Sequence, residues 1–277
     1  MNAVNICGNA LLIFVFHLGV AGAAIATLVS RIMGAVIMLV ILKEPHPMLH
    51  IPSLRKPQWD GAMVKRILHV GVPNGLENGM FQVGKILIQS LVATLGTTAI
   101  AANAVASNLS GFLTIPGSAV SLAMITVVGR CVGAKEFKQA RRYVFRLMNI
   151  TYLSMLLLSG AILLLCPYII GAYQLSPETA ALASQLILVY SIVCLFLWPT
   201  SFVLPNALRA AGDANFTMLV SSLSMLLFRI AFSYLLVIQF RMGLLGVWLA
   251  MMIDWLTRSI AFVWRYLSGR WEQKNFL

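Results

Sequence analysis

Charge is what this sequence has least of, and acid least of all. Asp and Glu number eight in 277 residues, Lys and Arg twenty, and together they make up 10% of the chain. A soluble domain carries roughly 25%. So little polar surface cannot cover a water-facing globule, which excludes an ordinary soluble enzyme or binding domain. Cysteine is sparse too: Cys7, Cys131, Cys166 and Cys194 are scattered with no C-x-x-C between them. They read as small buried hydrophobes rather than a disulfide or metal set. His46 and His50 have i, i+4 spacing, but Pro45, Pro47 and Pro52 break the segment, so they read as loop residues that share no helix face. No clustered His/Asp/Glu set, paired acids or G-x-S-x-G elbow is present, so neither an enzyme nor a metal or organic cofactor is expected. The first apolar run has no basic residue before it and leads into a second, which argues against a cleaved leader.

What the chain has is apolar length. It is 60% hydrophobic, with a mean hydropathy of +0.89. Runs of about 20 apolar residues match helices that cross a ~30 Å hydrocarbon core. The pattern predicts an all-α integral membrane protein with about eight helices, at residues 2–16, 20–42, 68–95, 98–130, 143–170, 178–209, 214–238 and 243–267. The first is too short to cross at 1.5 Å per residue. The net charge of +12 would suggest nucleic acid in a soluble protein. Here the bases cluster between apolar runs, and no aromatic-plus-basic strands accompany them, so membrane lipid is the expected partner and nucleic acid is not.

The loops alternate in charge. Lys43, Arg55, Lys56, Lys65 and Arg66 separate the second and third runs, and Arg130, Lys135, Lys138, Arg141, Arg142 and Arg146 the fourth and fifth. Arg209 follows the sixth, and Arg265, Arg270 and Lys274 follow the last. The intervening loops "HLG", "LGTT" and "GAYQLSPETA" have no Lys or Arg, and "QFRMG" has only Arg241. The positive-inside rule therefore puts both termini in the cytoplasm.

"FHLGVAGAAIA" (Phe16 to Ala26) aligns without gaps with "FRMGLLGVWLA" (Phe240 to Ala250), at an offset of 224 residues. Both copies are short outer turns that enter a span. Six spans separate them, which predicts parallel six-helix halves related by an axis along the membrane normal. On this reading residues 1–42 are the last two helices of an N-terminal lobe, the first of them incomplete. Residues 43–67 are a cytoplasmic linker, and 68–277 a complete six-helix C-terminal lobe. The offset sets Met1 against Met225, in the middle of a helix, so about four and a half helices are expected upstream.

"GVPNGLENGMFQVGK" (Gly71 to Lys85) places an acid, a base and three amides in an apolar run. Asn74, Asn78, Gln82, Lys85 and Gln89 recur every three or four residues, on one helix face, and Glu77 lies beside them. The next run carries Asn103, Ser107, Ser110, Thr114, Ser118 and Ser121. Charge within a span costs about 2.5–3.5 kcal/mol per residue on insertion scales and usually faces a bundle interior or water path. Glu77 is thus a candidate functional acid, and Asn74, Asn78, Gln82, Lys85, Asn103 and Ser107 are candidate cavity-lining residues. The bland alternative for the amides and hydroxyls is hydrogen bonding across a dry helix interface. Arg229 and Asp254 read as a structural ion pair between helices, with Asp254–Arg258 a competing i, i+4 pair. Breaks fall at Pro116–Gly117, Pro199 and Pro205.

Together these segments resemble the multidrug and toxic compound extrusion (MATE) transporters. "GVPNGLENGMF…LVATLGTTAIAANAVASNL" looks like the start of that family's second lobe. "GSAVSLAMITVVGRCVGAKEFKQARRY" looks like its eighth span and following loop, and "PNALRAAGDANFTM" like its "LRG-x-GD" turn. The resemblance implies a two-lobed antiporter of the cell membrane that exports cationic or amphipathic compounds against H⁺ or Na⁺. It implies a possible partner too, the missing N-terminal lobe helices. Two family acids are replaced: the position eight residues after Pro73 is Phe81, and the tenth-span position is Trp198. Glu77 stands one turn earlier than Phe81 on a similar face, so the resemblance makes it the candidate cation-coupling acid. A flippase for lipid-linked or polyanionic head groups, using Lys85, Arg31 and Arg229, and a non-transporting partner subunit are the alternatives.

Overall fold

The computed structural model describes residues 1–43 and 60–272. His46, His50, Arg55, Lys56 and Lys274 lie outside the described residues. The chain forms two compact units, Met1–Gly61 and Ala62–Leu277. Within them run α1 (Asn2–Val15), α2 (Gly19–Lys43), α3 (Gly61–Ala93), α4 (Thr97–Gly133), α5 (Phe137–Ala172), α6 (Pro177–Ala210), α7 (Ala214–Gln239) and α8 (Gly243–Leu267). A 3₁₀ turn at Arg270–Glu272 follows α8.

No strand occurs among the described residues. In hydrocarbon a backbone must satisfy its own polar groups, and the helix does so within one segment. Among the described residues six helices are long and apolar enough to cross a membrane: α2 and α4 to α8. α3 has the length, at 33 residues, but its polar stripe sets it apart. The chain is an integral membrane protein. Two helices extend beyond their expected starts: α3 begins at Gly61 rather than 68, and α5 at Phe137 rather than 143. In both, polar residues that interrupt the hydropathy signal still form backbone helix.

Helix ends follow local chemistry. Ser176 caps α6, its Oγ accepting from the Thr179 amide at 3.4 Å, with Pro177 in the first turn. Pro199 cannot donate the hydrogen bond that its position requires, and α6 widens to a π-helical turn over Pro199–Val203. α7 is π-helical over Met225–Ala231 and Leu235–Gln239.

In the second unit, α4 buries Ala99, Ala102, Ala106, Ser110, Leu113 and Gly117 along one side. Small residues let helix backbones approach closely where lipid gives little hydrophobic drive. Cys166 and Cys194 are buried as expected, but Cys7 is exposed.

The repeat is reproduced at the level of single hydrogen bonds. The Phe16 amide donates to the Leu11 carbonyl, Leu18 to Leu12 and Gly22 to Leu18; 224 residues later Phe240 donates to Leu235, Met242 to Leu236 and Gly246 to Met242. His17 and Gly19 have φ of 53° and 51°, and their counterparts Arg241 and Gly243 have 51° and 56°. Each turn is preceded by a π-helical segment. The buried stripe Gly22, Ala26, Ser30 of α2 recurs as Gly246, Ala250, Asp254 of α8.

Candidate functional site

All the candidate cavity residues line one cavity of about 880 Å³, walled entirely by the second unit. Pro73, within α3, precedes the polar stripe, which then turns one face to this space. Asn78 Nδ2 donates to the Asn74 carbonyl at 2.9 Å, so it fixes its own rotamer against the helix. Asn103 bridges three helices. Its Nδ2 reaches Gln89 Oε1 of α3 at 3.4 Å, and its Oδ1 accepts from the Trp248 indole of α8 at 3.0 Å. Gln82, Lys85 and Ser107 also line the cavity. Lys85 is exposed to it and has no ion-pair partner among the described residues.

Glu77 is buried, at 5% exposure, and its Oε1 accepts from Arg209 Nη2 at 2.5 Å. Arg209 is held on its other sides: Nη1 donates to Asn206 Oδ1 at 2.9 Å and Nε to Thr217 Oγ1 at 3.3 Å. Glu77 Oε2 is buried without a hydrogen-bond partner among the described residues. Spacing within α3 could not reveal this pair, because Arg209 lies 132 residues away at the end of α6. The sequence signal was the "PNALRAAGD" turn, read there as a basic loop and a family-like turn but not as the partner of Glu77.

Asp254 is fully buried and is shared rather than paired. Its Oδ1 accepts from Arg258 Nε at 2.9 Å and from Ser224 Oγ at 2.5 Å, whereas Arg229 Nη1 stands 3.9 Å from Oδ2. The expected Arg229–Asp254 pair is therefore the longer contact, and the i, i+4 partner is the nearer. Helical geometry favours it: residues four apart stack on one face. Arg229 lies in a π-helical stretch and lines the cavity. In the first unit the same offset gives Asn5 and Ser30, whose Nδ2 and Oγ lie 3.5 Å apart. One slot between neighbouring helices thus holds an amide and a hydroxyl in one copy, and an ionic cluster in the other.

Phe81 and Trp198, where the resemblance puts acids, both line the cavity. The Arg258 guanidinium lies 4.4 Å from the centre of the Phe81 ring and 5.4 Å from that of Phe202. A ring face thus partners this cation where a carboxylate is replaced. Trp198 stacks on Phe202 at 5.2 Å. Tyr190 packs edge-on against Trp248 and Trp255. The described residues contain no group of three or more His, Cys, Asp or Glu that could hold a metal ion. A concave site with aromatic walls and a few convergent polar groups suits a drug-sized organic molecule.

Comparison with known proteins gives this site a context. The family model described as MatE matches residues 73–235, more than half of the chain. An uncharacterized transporter of Bacillus subtilis, YisQ, is 29% identical over 99% of this chain and 61% of its own length. A probable multidrug resistance protein NorM of Thermotoga maritima is also 29% identical, over 94% of this chain and 56% of its own. Among solved structures, an outward-facing multidrug resistance MATE family transporter of the MOP superfamily superposes with a TM-score of 0.87 at 21% identity, covering 98% of this chain and 61% of that one. A MOP superfamily transporter from Pyrococcus furiosus, described as having a binding pocket of reverse polarity, gives 0.85 at 20% identity, covering 99% and 61%. The chain spans less than two thirds of the length of each of these relatives.

Proposed function

The chain belongs to the MatE family of membrane transporters, and on that premise we propose that it supplies the C-terminal lobe of a transporter, not an enzyme, that exports amphipathic organic compounds by alternating access. The observation that carries this reading is the convergence of Asn74, Glu77, Asn78, Gln82, Lys85, Asn103 and Ser107 on one aromatic-walled cavity. Relatives named as multidrug resistance proteins support it. The protein resides in the cell membrane with the basic loops cytoplasmic, and completing the transporter takes a further lobe.

Glu77 is the coupling group. Its Oε1 is held by Arg209, and its Oε2 is buried with no hydrogen bond among the described residues. H⁺ or Na⁺ arriving at this carboxylate competes with the Arg209 guanidinium for it. That competition gives the ion different affinities for conformations in which the α3–α6 pair is closed or open. A ligand can shift a conformational equilibrium only by such differential binding.

The test is flux in proteoliposomes holding the full-length protein. Imposed H⁺ or Na⁺ gradients should drive movement of an amphipathic dye, and Glu77→Gln should abolish the driven component while dye binding persists. Driven flux at the wild-type rate in Glu77→Gln would remove the coupling role from this residue.

A further inference from the structure

The charges around the cavity do not cancel. Glu77 is paired with Arg209 at 2.5 Å through Oε1. Asp254 Oδ1 accepts from Arg258 at 2.9 Å and Ser224 at 2.5 Å, and its Oδ2, without a hydrogen bond among the described residues, faces Arg229 at 3.9 Å, so one carboxylate stands between two bases. Lys85 has no acid near it among the described residues. Lining the space are Lys85, Arg209 and Arg229, and Glu77 is the single acid among the lining residues. Two positive charges are left over on a wall that otherwise consists of rings, amides, hydroxyls and aliphatic side chains.

That surplus is costly unless something offsets it. A base inside a membrane protein disfavours the folded, inserted state unless it meets a counter-charge or water. A positively lined cleft with low-dielectric walls concentrates anions and repels cations. We infer that the cavity selects organic anions: planar or aromatic compounds that carry carboxylate, sulfonate or phosphate, with Lys85 and Arg229 as counter-charges and the Tyr190, Trp198 and Trp248 rings holding the apolar body. Arg229 presents a guanidinium fork suited to an oxyanion, and Lys85 a mobile point charge. The inference rests on the transport reading for its biological use, but the charge selection is a property of the cavity itself.

Two xanthene dyes of one ring system and opposite charge supply the test. Fluorescein, an anion at mildly alkaline pH, and rhodamine 123, a cation, are titrated by fluorescence anisotropy into the purified full-length protein with no ion gradient present. Fluorescein should bind about tenfold more tightly or better, as expected for a charge-assisted contact, and should weaken as salt is raised. Lys85→Gln should remove most of that advantage, and Lys85→Glu should reverse it in favour of rhodamine 123. Lys85 faces the cavity from an exposed position, so neither variant threatens folding. Equal or tighter rhodamine 123 binding, absence of binding by both dyes, or a Lys85→Gln protein with unchanged fluorescein affinity would overturn the inference. Displacement of fluorescein by phosphatidylglycerol would assign the anion to a lipid head group; no displacement would assign it to a soluble compound. The two readings fail separately. Fluorescein that binds selectively but is moved by no gradient leaves the charge selection standing and removes transport. Gradient-driven rhodamine 123 without fluorescein binding does the reverse.

Discussion

At the scale of the residue, the stability of the site turns on Arg209. It donates to Glu77, Asn206 and Thr217 from three different nitrogens. A buried carboxylate stripped of its ion-pair partner costs about 3–5 kcal/mol, most of it the penalty of the orphaned charge. Arg209→Ala should therefore lower the thermal midpoint of the detergent-solubilised protein sharply. Arg209→Lys should recover only part, because an ammonium cannot serve three divergent acceptors from fixed positions. A midpoint within a degree or two of wild type in Arg209→Ala would show that the pair contributes little. The acid was legible in the sequence because charge inside an apolar run needs explaining. Its partner was not, because only folding brings residue 209 to residue 77. The same limit applied at Asp254. Both of its bases were named, but spacing alone could not rank a partner four residues away in the same helix against one on α7.

At the scale of the element, two devices shape the helices around the cavity. The first is the close packing of α4 on α6. A Cβ added at Gly117 would lie 2.1 Å from Cζ3 of Trp198, against a rigid indole that cannot yield like a flexible side chain. Gly117→Ala should cost about 1–3 kcal/mol through overpacking. Trp198→Leu in the same protein should restore much of the loss, and a thermal-denaturation double-mutant cycle reads the coupling directly. If the two changes add without coupling, the contact does not limit packing. The sequence marked Pro116–Gly117 as a break in a helix. Pro116 lies inside α4, which continues unbroken from Thr97 to Gly133, and Gly117 serves to admit a ring. The second device is the repeated turn. A Cβ added at Gly22 or Gly246 would lie 3.0–3.1 Å from the Cβ of Leu12 or Leu236. A side chain at either would force the π-helical end of the preceding helix away. Four identities in eleven residues were a weak signal, and the matching hydrogen bonds and left-handed residues make it a structural one.

At the scale of the whole molecule, fold class was legible from scarcity of charge and from run length, since a bilayer imposes both. Helix ends were less legible. Hydropathy marks where a chain meets lipid, whereas α3 and α5 carry their hydrogen-bond ladders past that boundary through polar residues. The polar face of α3 was legible as a face. That it closes a cavity with aromatic residues of α6 and α8 was not, because those rings look like ordinary membrane core until they are placed. The central claim is that this face of α3 lines a water-filled binding space. It is tested most directly by cysteine accessibility in a background with the four native cysteines replaced. Single cysteines at Asn74, Asn78, Gln82 and Lys85 should react rapidly with a membrane-impermeant charged methanethiosulfonate, and fluorescein should protect those at Asn74, Asn78 and Gln82, which keep the Lys85 counter-charge. Cysteines at Val72, Leu76, Val83 and Leu87, on the opposite face, should react slowly and without protection. Equal rates on both faces, or faster labelling of the apolar face, would contradict the account.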